Sequence, residues 1–169
     1  NSDSLFFSTA PPPRMRDLEE LPSPFLNGLL NNIVRDNPEE KWIGLWETNR
    51  GCPYLCTFCA SHKTHGRKMR YYSLERVKKD IQILQEQFGT ETIIFQDDHF
   101  MADKERVHEI LAYMRERGMS AFFPNALTLY ALDRPMLKAL QGVGVKVMIM
   151  AVESGSQRVL KELMKKPLN

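Results

Sequence analysis

Cys52, Cys56 and Cys59 lie in the stretch GCPYLCTFCASH (residues 51–62), spaced C-x3-C-x2-C, and they are all the cysteines of the chain. Three thiolates on one short loop can hold a metal. Structural zinc takes four ligands in a closed tetrahedron, and His62 and His65 stand near enough in sequence to complete a Cys3His set. Zinc sites are usually built from paired C-x2-C knuckles, however, and only Cys56 and Cys59 form one. A four-iron cluster held by four cysteines carries electrons. With three, one iron is left for another ligand, as an open position on catalytic zinc is left for substrate. Three buried thiols with no ligand at all are the bland alternative. An odd, clustered set is a poor disulfide framework and points to a reducing, cytoplasmic setting.

The elements that must position this loop are periodic. Trp42 to Trp46 is a short apolar run ahead of the polar ETNRG and the cysteines. Ser73 opens a helix whose apolar positions Leu74, Val77, Ile81, Leu84 and Phe88 fall on one face, with a stop at Gly89. Thr92 to Phe95 is the next apolar run, and Asp103 caps a helix carrying Val107, Ile110, Leu111 and Met114, stopped by Gly118. Ala121 to Phe123 is a third strand, followed by a helix that Asp133 caps and that runs through Leu137 and Leu140 to Gly142. Val145 to Val152 is a fourth, near-continuously apolar and so expected to be buried on both faces. Ser154 or Ser156 then caps a helix with Val159, Leu160 and Leu163. Four successive βα units argue for an α/β fold with a parallel sheet.

In such folds ligands meet the C-terminal ends of the strands. Here those ends read Glu47-Thr48-Asn49-Arg50, Gln96-Asp97-Asp98, Pro124-Asn125 and Glu153-Ser154-Gly155-Ser156. All four turn polar where the apolar run stops. Local accounts compete with the functional one: Asp97 and Asp98 can serve a turn, Ser154 and Ser156 can be helix caps, and Glu47 with Arg50 can be a solvated pair.

The cysteine spacing, with Phe58 just before the third cysteine and the loop following the first strand of a βα series, resembles the radical S-adenosylmethionine (radical SAM) superfamily. The resemblance implies a partial parallel (β/α) barrel of about four βα units and a [4Fe-4S] cluster on Cys52, Cys56 and Cys59. It also implies a fourth iron chelated by the amino and carboxylate groups of SAM, and one-electron cleavage of the sulfonium to methionine and a 5′-deoxyadenosyl radical. Phe58 is then expected beside the cluster and adenine. The family's Gly-Gly-Glu motif at the second strand end is replaced here by Gln96-Asp97-Asp98, so Asp97 or Asp98 is expected to accept from the SAM ammonium. Glu153, Ser154 and Ser156 are the candidates for the SAM ribose or carboxylate, with Asn125 a further cofactor contact.

ETNRGCPYLCTFC, FQDDHF and VESGSQRVLKEL together resemble the radical SAM portion of cobalamin-binding radical SAM enzymes, and DLEELPSPFLNGL resembles their linker. Cobalamin is thus a further implied cofactor, with methyl transfer or rearrangement as the reaction, and a flavodoxin or ferredoxin as electron donor. A family barrel has more βα units than these four, so further cobalamin-binding and C-terminal segments are expected, and the edge of VKVMIMAV is expected to lack a partner. The competing readings are a non-catalytic zinc or iron–sulfur module and an inactive barrel fragment.

Residues 1–40, with Pro11-Pro12-Pro13 and LPSP, read as a linker wrapping the domain surface, with a helical stretch from Phe25 to Val34, or else as a disordered tail. Residues 41–169 read as the core domain. Across 169 residues the chain is 43% hydrophobic with a formal charge of +2, which gives no electrostatic case for nucleic acid. The basic run HKTHGRKMR reads as a solvated face, and His62 and His65 as exposed loop residues. No apolar run approaches the roughly 18–20 residues of a membrane span, and no secretory leader is visible.

Overall fold

The computed structural model describes residues 10, 13–26, 28 and 43–168. Strand β1 (Ile43–Trp46) leads into a two-residue strand β2 (Asn49–Arg50), which pairs antiparallel with β3 (Arg70–Tyr71). The cysteines and a single helical turn, α1 (Ser61–Thr64), lie between those two arms. The chain continues through α2 (Leu74–Phe88), β4 (Thr92–Phe95), α3 (Lys104–Glu116), β5 (Ser120–Phe122) and α4 (Arg134–Gly142). β1, β4 and β5 form a parallel sheet in that order, with Trp46 opposite Phe95 and Ile94 opposite Phe122. Parallel strands joined through helices make this an α/β fold, a partial barrel.

The helix starts follow from local chemistry. Ser73 Oγ accepts from Arg76 N, Asp103 Oδ1 from Arg106 N and Asp133 Oδ1 from Met136 N, each meeting an amide that has no partner inside its helix. Gly89 ends α2 in the left-handed region at φ +63°, where its N–H reaches Gln85 O. Helical spacing buries Val77, Ile81, Leu84 and Phe88 on α2 and Val107, Ile110, Leu111 and Met114 on α3. On α4 the buried residues are Met136 and Leu140, whereas Leu137, expected in that stripe, is exposed. Phe95, Phe100 and Phe123 pack as a trio beneath the strand ends, with centroids 4.7–5.3 Å apart.

The described part of the N-terminal segment belongs to this packing. Leu18 and Phe25 are buried in the same core, and Phe25 meets Trp46 edge-on at 5.9 Å. Ser23 Oγ donates to Asp80 Oδ1 at 2.7 Å inside the protein, and Arg76 Nε donates to Asp80 Oδ2 at 2.7 Å. Residues 24–26 form a turn; of the expected helix from Phe25 to Val34, residues 27 and 29–34 lie outside the described residues, as does Trp42.

The expected fourth unit differs. Residues 145–152 form no strand of the sheet: Val145 N donates to Leu140 O, Leu127 N donates to Ile149 O, and Leu127 and Met150 make an isolated parallel bridge. Val147, Met148, Ile149, Met150 and Val152 are exposed rather than buried on both faces. Burying each such side chain would contribute about 1.5–3 kcal/mol, but a strand is covered only where neighbours flank it. The helix expected after Ser156 is present but short, residues 157–163, and its Val159–Leu163 part is π-helical. Among the described residues no helix is long and apolar enough to cross a membrane.

Candidate functional site

The cysteine loop is clasped at its base by the β2–β3 ribbon. Gly51 makes the entry turn at φ +105°, and a Cβ there would stand 2.4 Å from Lys68 O, so only glycine fits. Cys52 N donates to Gly66 O at 3.2 Å, and Cys59 N to Cys56 O at 3.3 Å, which curls the loop back on itself. Arg67 Nη1 donates to Tyr54 O. Thr57 ties the loop to the C-terminal turn, its N–H donating to Met164 O at 3.0 Å and its hydroxyl to Leu163 O at 2.8 Å.

All three cysteines are free, partly buried and line one cavity of about 350 Å³. Burial pushes the Cys52 thiol up, and the neighbouring Cys59 and Cys56 push it further. Burial also raises Cys56, against the pull of the Lys166 ammonium. Adjacent thiolates in this setting are stabilised by a cationic ligand, and the donor set suits one. Among the described residues no three His, Cys, Asp or Glu side chains converge tightly enough to hold a single metal ion. The three thiols share one loop and one cavity, the donor set that a cluster bound through three cysteines would use. Among the described residues neither His62 nor His65 joins the cysteines in a group that could hold one metal ion, and His65 Nδ1 lies 2.7 Å from Asp98 Oδ2.

The strand ends bring several of the expected residues to the same cavity. Phe58, Asp98, Asn125 and Glu153 line it together with the cysteines. Phe58 is 53% exposed and faces Lys166 Nζ at 5.9 Å from its ring centre. Asn125 Nδ2 donates to Gln96 O at 2.9 Å and to Asp97 O at 3.3 Å, pinning the end of β4. Glu153 has a left-handed backbone, φ +66°, unusual for a side chain of its kind, and its carboxylate accepts from Lys166 Nζ at 2.8 Å. Ser154 lines a neighbouring cavity with Tyr130 and Gln157, and Ser156 lines neither; their hydroxyls accept from Ser156 N and Val159 N, which are turn and cap roles.

Asp97 is not a cavity residue. It is 3% exposed, and its Oδ1 accepts from Thr48 N, Thr48 Oγ1 and Asn49 N at 2.8–2.9 Å. Those bonds fasten the end of β4 to the start of the cysteine loop's ribbon. Burial pushes the Asp97 carboxyl up to about 7, against the hydrogen bonds that favour its ionised form. The expectation that either aspartate of the pair faces the ligand therefore narrows to Asp98. Glu47 and Arg50 pair with each other beside this ribbon.

Sequence reasoning overlooked a second wall of the cavity. His99, 5% exposed, sits between Thr128 Oγ1 on Nδ1 and Tyr130 OH on Nε2, both at 3.2 Å, and its ring lies 5.1 Å from that of Tyr54. Burial lowers the His99 pKa, so the neutral ring is favoured. His99 lies 29 and 31 positions from Thr128 and Tyr130, and the one sequence signal was a polar residue directly after the Asp97-Asp98 strand end. Lys166 was likewise missed.

A family model described as the radical SAM superfamily matches residues 46–169. The chain is 35% identical over 127 residues to a cytidylyl-2-hydroxyethylphosphonate methyltransferase of Streptomyces wedmorensis, covering 75% of this chain and 24% of that protein. It is 28% identical over 152 residues to an uncharacterized methyltransferase of Pyrococcus horikoshii, covering 89% of this chain and 32% of the relative. Among solved structures it resembles the cobalamin-dependent S-adenosylmethionine radical enzyme OxsB, solved with aqua-cobalamin and S-adenosylmethionine bound. The TM-score is 0.63 at 25% identity, over 87% of this chain and 22% of that one. The chain thus spans between 24% and 32% of the length of these two relatives.

Proposed function

Since this chain belongs to the radical SAM superfamily, we propose that it forms the cluster- and SAM-binding part of a cobalamin-dependent radical SAM methyltransferase. The observation that carries the reading is the meeting of Cys52, Cys56 and Cys59 with Asp98, Asn125 and Glu153 around one cavity. When bound, the cluster and SAM supply reductive cleavage of a sulfonium to methionine and a 5′-deoxyadenosyl radical, and cobalamin supplies a methyl carrier. Cys52, Cys56 and Cys59 would hold the cluster. Asp98 accepts from the SAM ammonium through the oxygen that His65 leaves open. Lys166, paired with Glu153 at the cavity, supplies positive charge for a carboxylate. Phe58 and Tyr54 offer aromatic faces to the nucleoside and keep water from the sulfonium.

The methyltransferase assignment rests on the relatives named above. The substrate is an organic molecule whose identity lies with residues beyond this cavity. A low-potential one-electron carrier, a flavodoxin or ferredoxin, is the partner such chemistry requires, and a reducing cytoplasmic compartment suits three free thiols.

Anaerobic reconstitution tests the reading. About four iron and four sulfide per chain are expected, with substantial loss on replacing any one of Cys52, Cys56 or Cys59 by alanine. Adding SAM to the reduced protein should change its electron paramagnetic resonance spectrum. One bound zinc with no cluster, or a cluster spectrum indifferent to SAM, overturns it.

A further inference from the structure

His65 is a residue that neither the fold nor the proposed chemistry requires, yet it is tightly held. Its Nδ1 stands 2.7 Å from Asp98 Oδ2, and the two side chains are 28% and 14% exposed. An ionised carboxylate only accepts, so Nδ1 carries the hydrogen and donates it. Asp98 makes no other hydrogen bond among the described residues, which leaves Oδ1 unbonded on a residue that lines the cavity. Asp97 beside it is immobilised by three bonds, but among the described residues only His65 bonds the Asp98 carboxylate.

The backbone that carries His65 is itself clamped from two sides. Its N–H donates to Ser61 O at 2.8 Å and its carbonyl accepts from Arg70 Nη2 at 2.6 Å. The same guanidinium donates from Nη1 to Met15 O at 2.6 Å. Arg14 Nη2 donates to His62 O and Lys63 O at 3.2 and 3.0 Å, meeting carbonyls at the end of α1 that have no partner within so short a helix. Gly66, next in sequence, takes φ +81° with the Arg14 side chain against it. The N-terminal strap, α1 and the ribbon thus converge on one imidazole, which points at one carboxylate.

We propose that His65 is a positioning residue: it holds Asp98 in the rotamer that presents Oδ1 to the ammonium of SAM. This rests on the reading of Asp98 given above. A carboxylate already oriented loses less freedom on binding than one that must be ordered by the ligand. A hydrogen bond to a charged group is of the size that changes a dissociation constant about tenfold or more.

The test uses the full chain with its cluster reconstituted anaerobically. SAM affinity is measured by calorimetric titration, and the SAM-dependent resonance change and iron content are recorded alongside. His65→Ala should weaken SAM binding about tenfold at unchanged iron and sulfide. His65→Asn, whose amide nitrogen falls where Nδ1 was, should recover most of the affinity, whereas His65→Gln, which mimics the other ring nitrogen, should not. Asp98→Asn should weaken binding at least as much, and adding His65→Ala to it should cost nothing further. If Asp98→Asn weakens SAM binding and His65→Ala does not, His65 has no positioning role and the Asp98 reading stands. If Asp98→Asn binds SAM normally, the Asp98 reading fails and this inference with it. If His65→Ala or His65→Asn loses iron, His65 is a metal ligand and the inference is overturned.

Discussion

Thr57 and Leu163, 106 residues apart, are joined by a 2.8 Å hydrogen bond from the threonine hydroxyl to the leucine carbonyl. The bond binds the middle of the cysteine loop to the π-helical turn that follows the strand-like segment 145–152. With Thr57 N on Met164 O, it makes the far end of the chain part of the loop's frame. Thr57→Val removes the hydroxyl and keeps the shape. Stability should fall by about 0.5–1.5 kcal/mol, and iron should pass to a chelator faster than from the parent. Thr57→Ser should restore both, as read by anaerobic iron-release kinetics.

Gly51→Ala should be more damaging than its one methyl group suggests. The new Cβ would meet the Lys68 carbonyl at 2.4 Å, and φ +105° is strained for any residue with a side chain. A penalty of roughly 1–3 kcal/mol or more is expected, applied one residue before Cys52. The ribbon is expected to open and iron incorporation to fall. Full iron loading of this variant would show that the ribbon does not set the loop.

The strap is tested at Asp80, whose side chain is wholly buried against Arg76 and Ser23. Arg76→Ala leaves a buried carboxylate without its cation and should cost about 3–5 kcal/mol. Ser23→Ala removes one donor and should cost about 1–3 kcal/mol. Denaturant midpoints give the ranking, and equal losses would mean that the ion pair contributes no more than the hydroxyl.

Asp97 sets a pH dependence of defined sign. Its folded pKa, about 7, lies above the ordinary 3.8, so the folded chain keeps this proton over a range where the unfolded chain has released it. Stability from this group is therefore full below the unfolded value and is lost as pH rises through about 7. Asp97→Asn stays neutral throughout and retains an acceptor for Thr48 and Asn49. Relative to that variant, the parent should lose roughly 3 kcal/mol between pH 5 and pH 8. Urea denaturation across that range decides it: parallel curves would mean that Asp97 is already ionised within the fold.

What the sequence made legible was local. Ser73, Asp103 and Asp133 could be assigned as caps because a cap joins a side chain to an amide three residues on. The three cysteines could be grouped because they share one loop. The strand 145–152 was misread because an apolar run reports what a segment can bury, and only its neighbours decide whether it is buried. Asp97 and Asp98 were inseparable by type; successive residues of an extended chain project to opposite sides, so one went to the interior and one to the cavity. His99 found Thr128 and Tyr130, and His65 found Asp98, across separations that no spacing rule covers.

Trp46 sits at the seam between strap and sheet, with Phe25 across its edge and Tyr72 tilted at 6.2 Å. That seam supplies a built-in optical gauge. In a Trp42→Phe background the remaining indole emits from a dry aromatic pocket, and lifting the strap would hydrate it and shift its fluorescence to longer wavelength. Because Arg14 and Met15 of the same strap reach α1 and Arg70 beside the cysteines, the colour of one tryptophan can follow, in real time, how firmly the loop is being gripped.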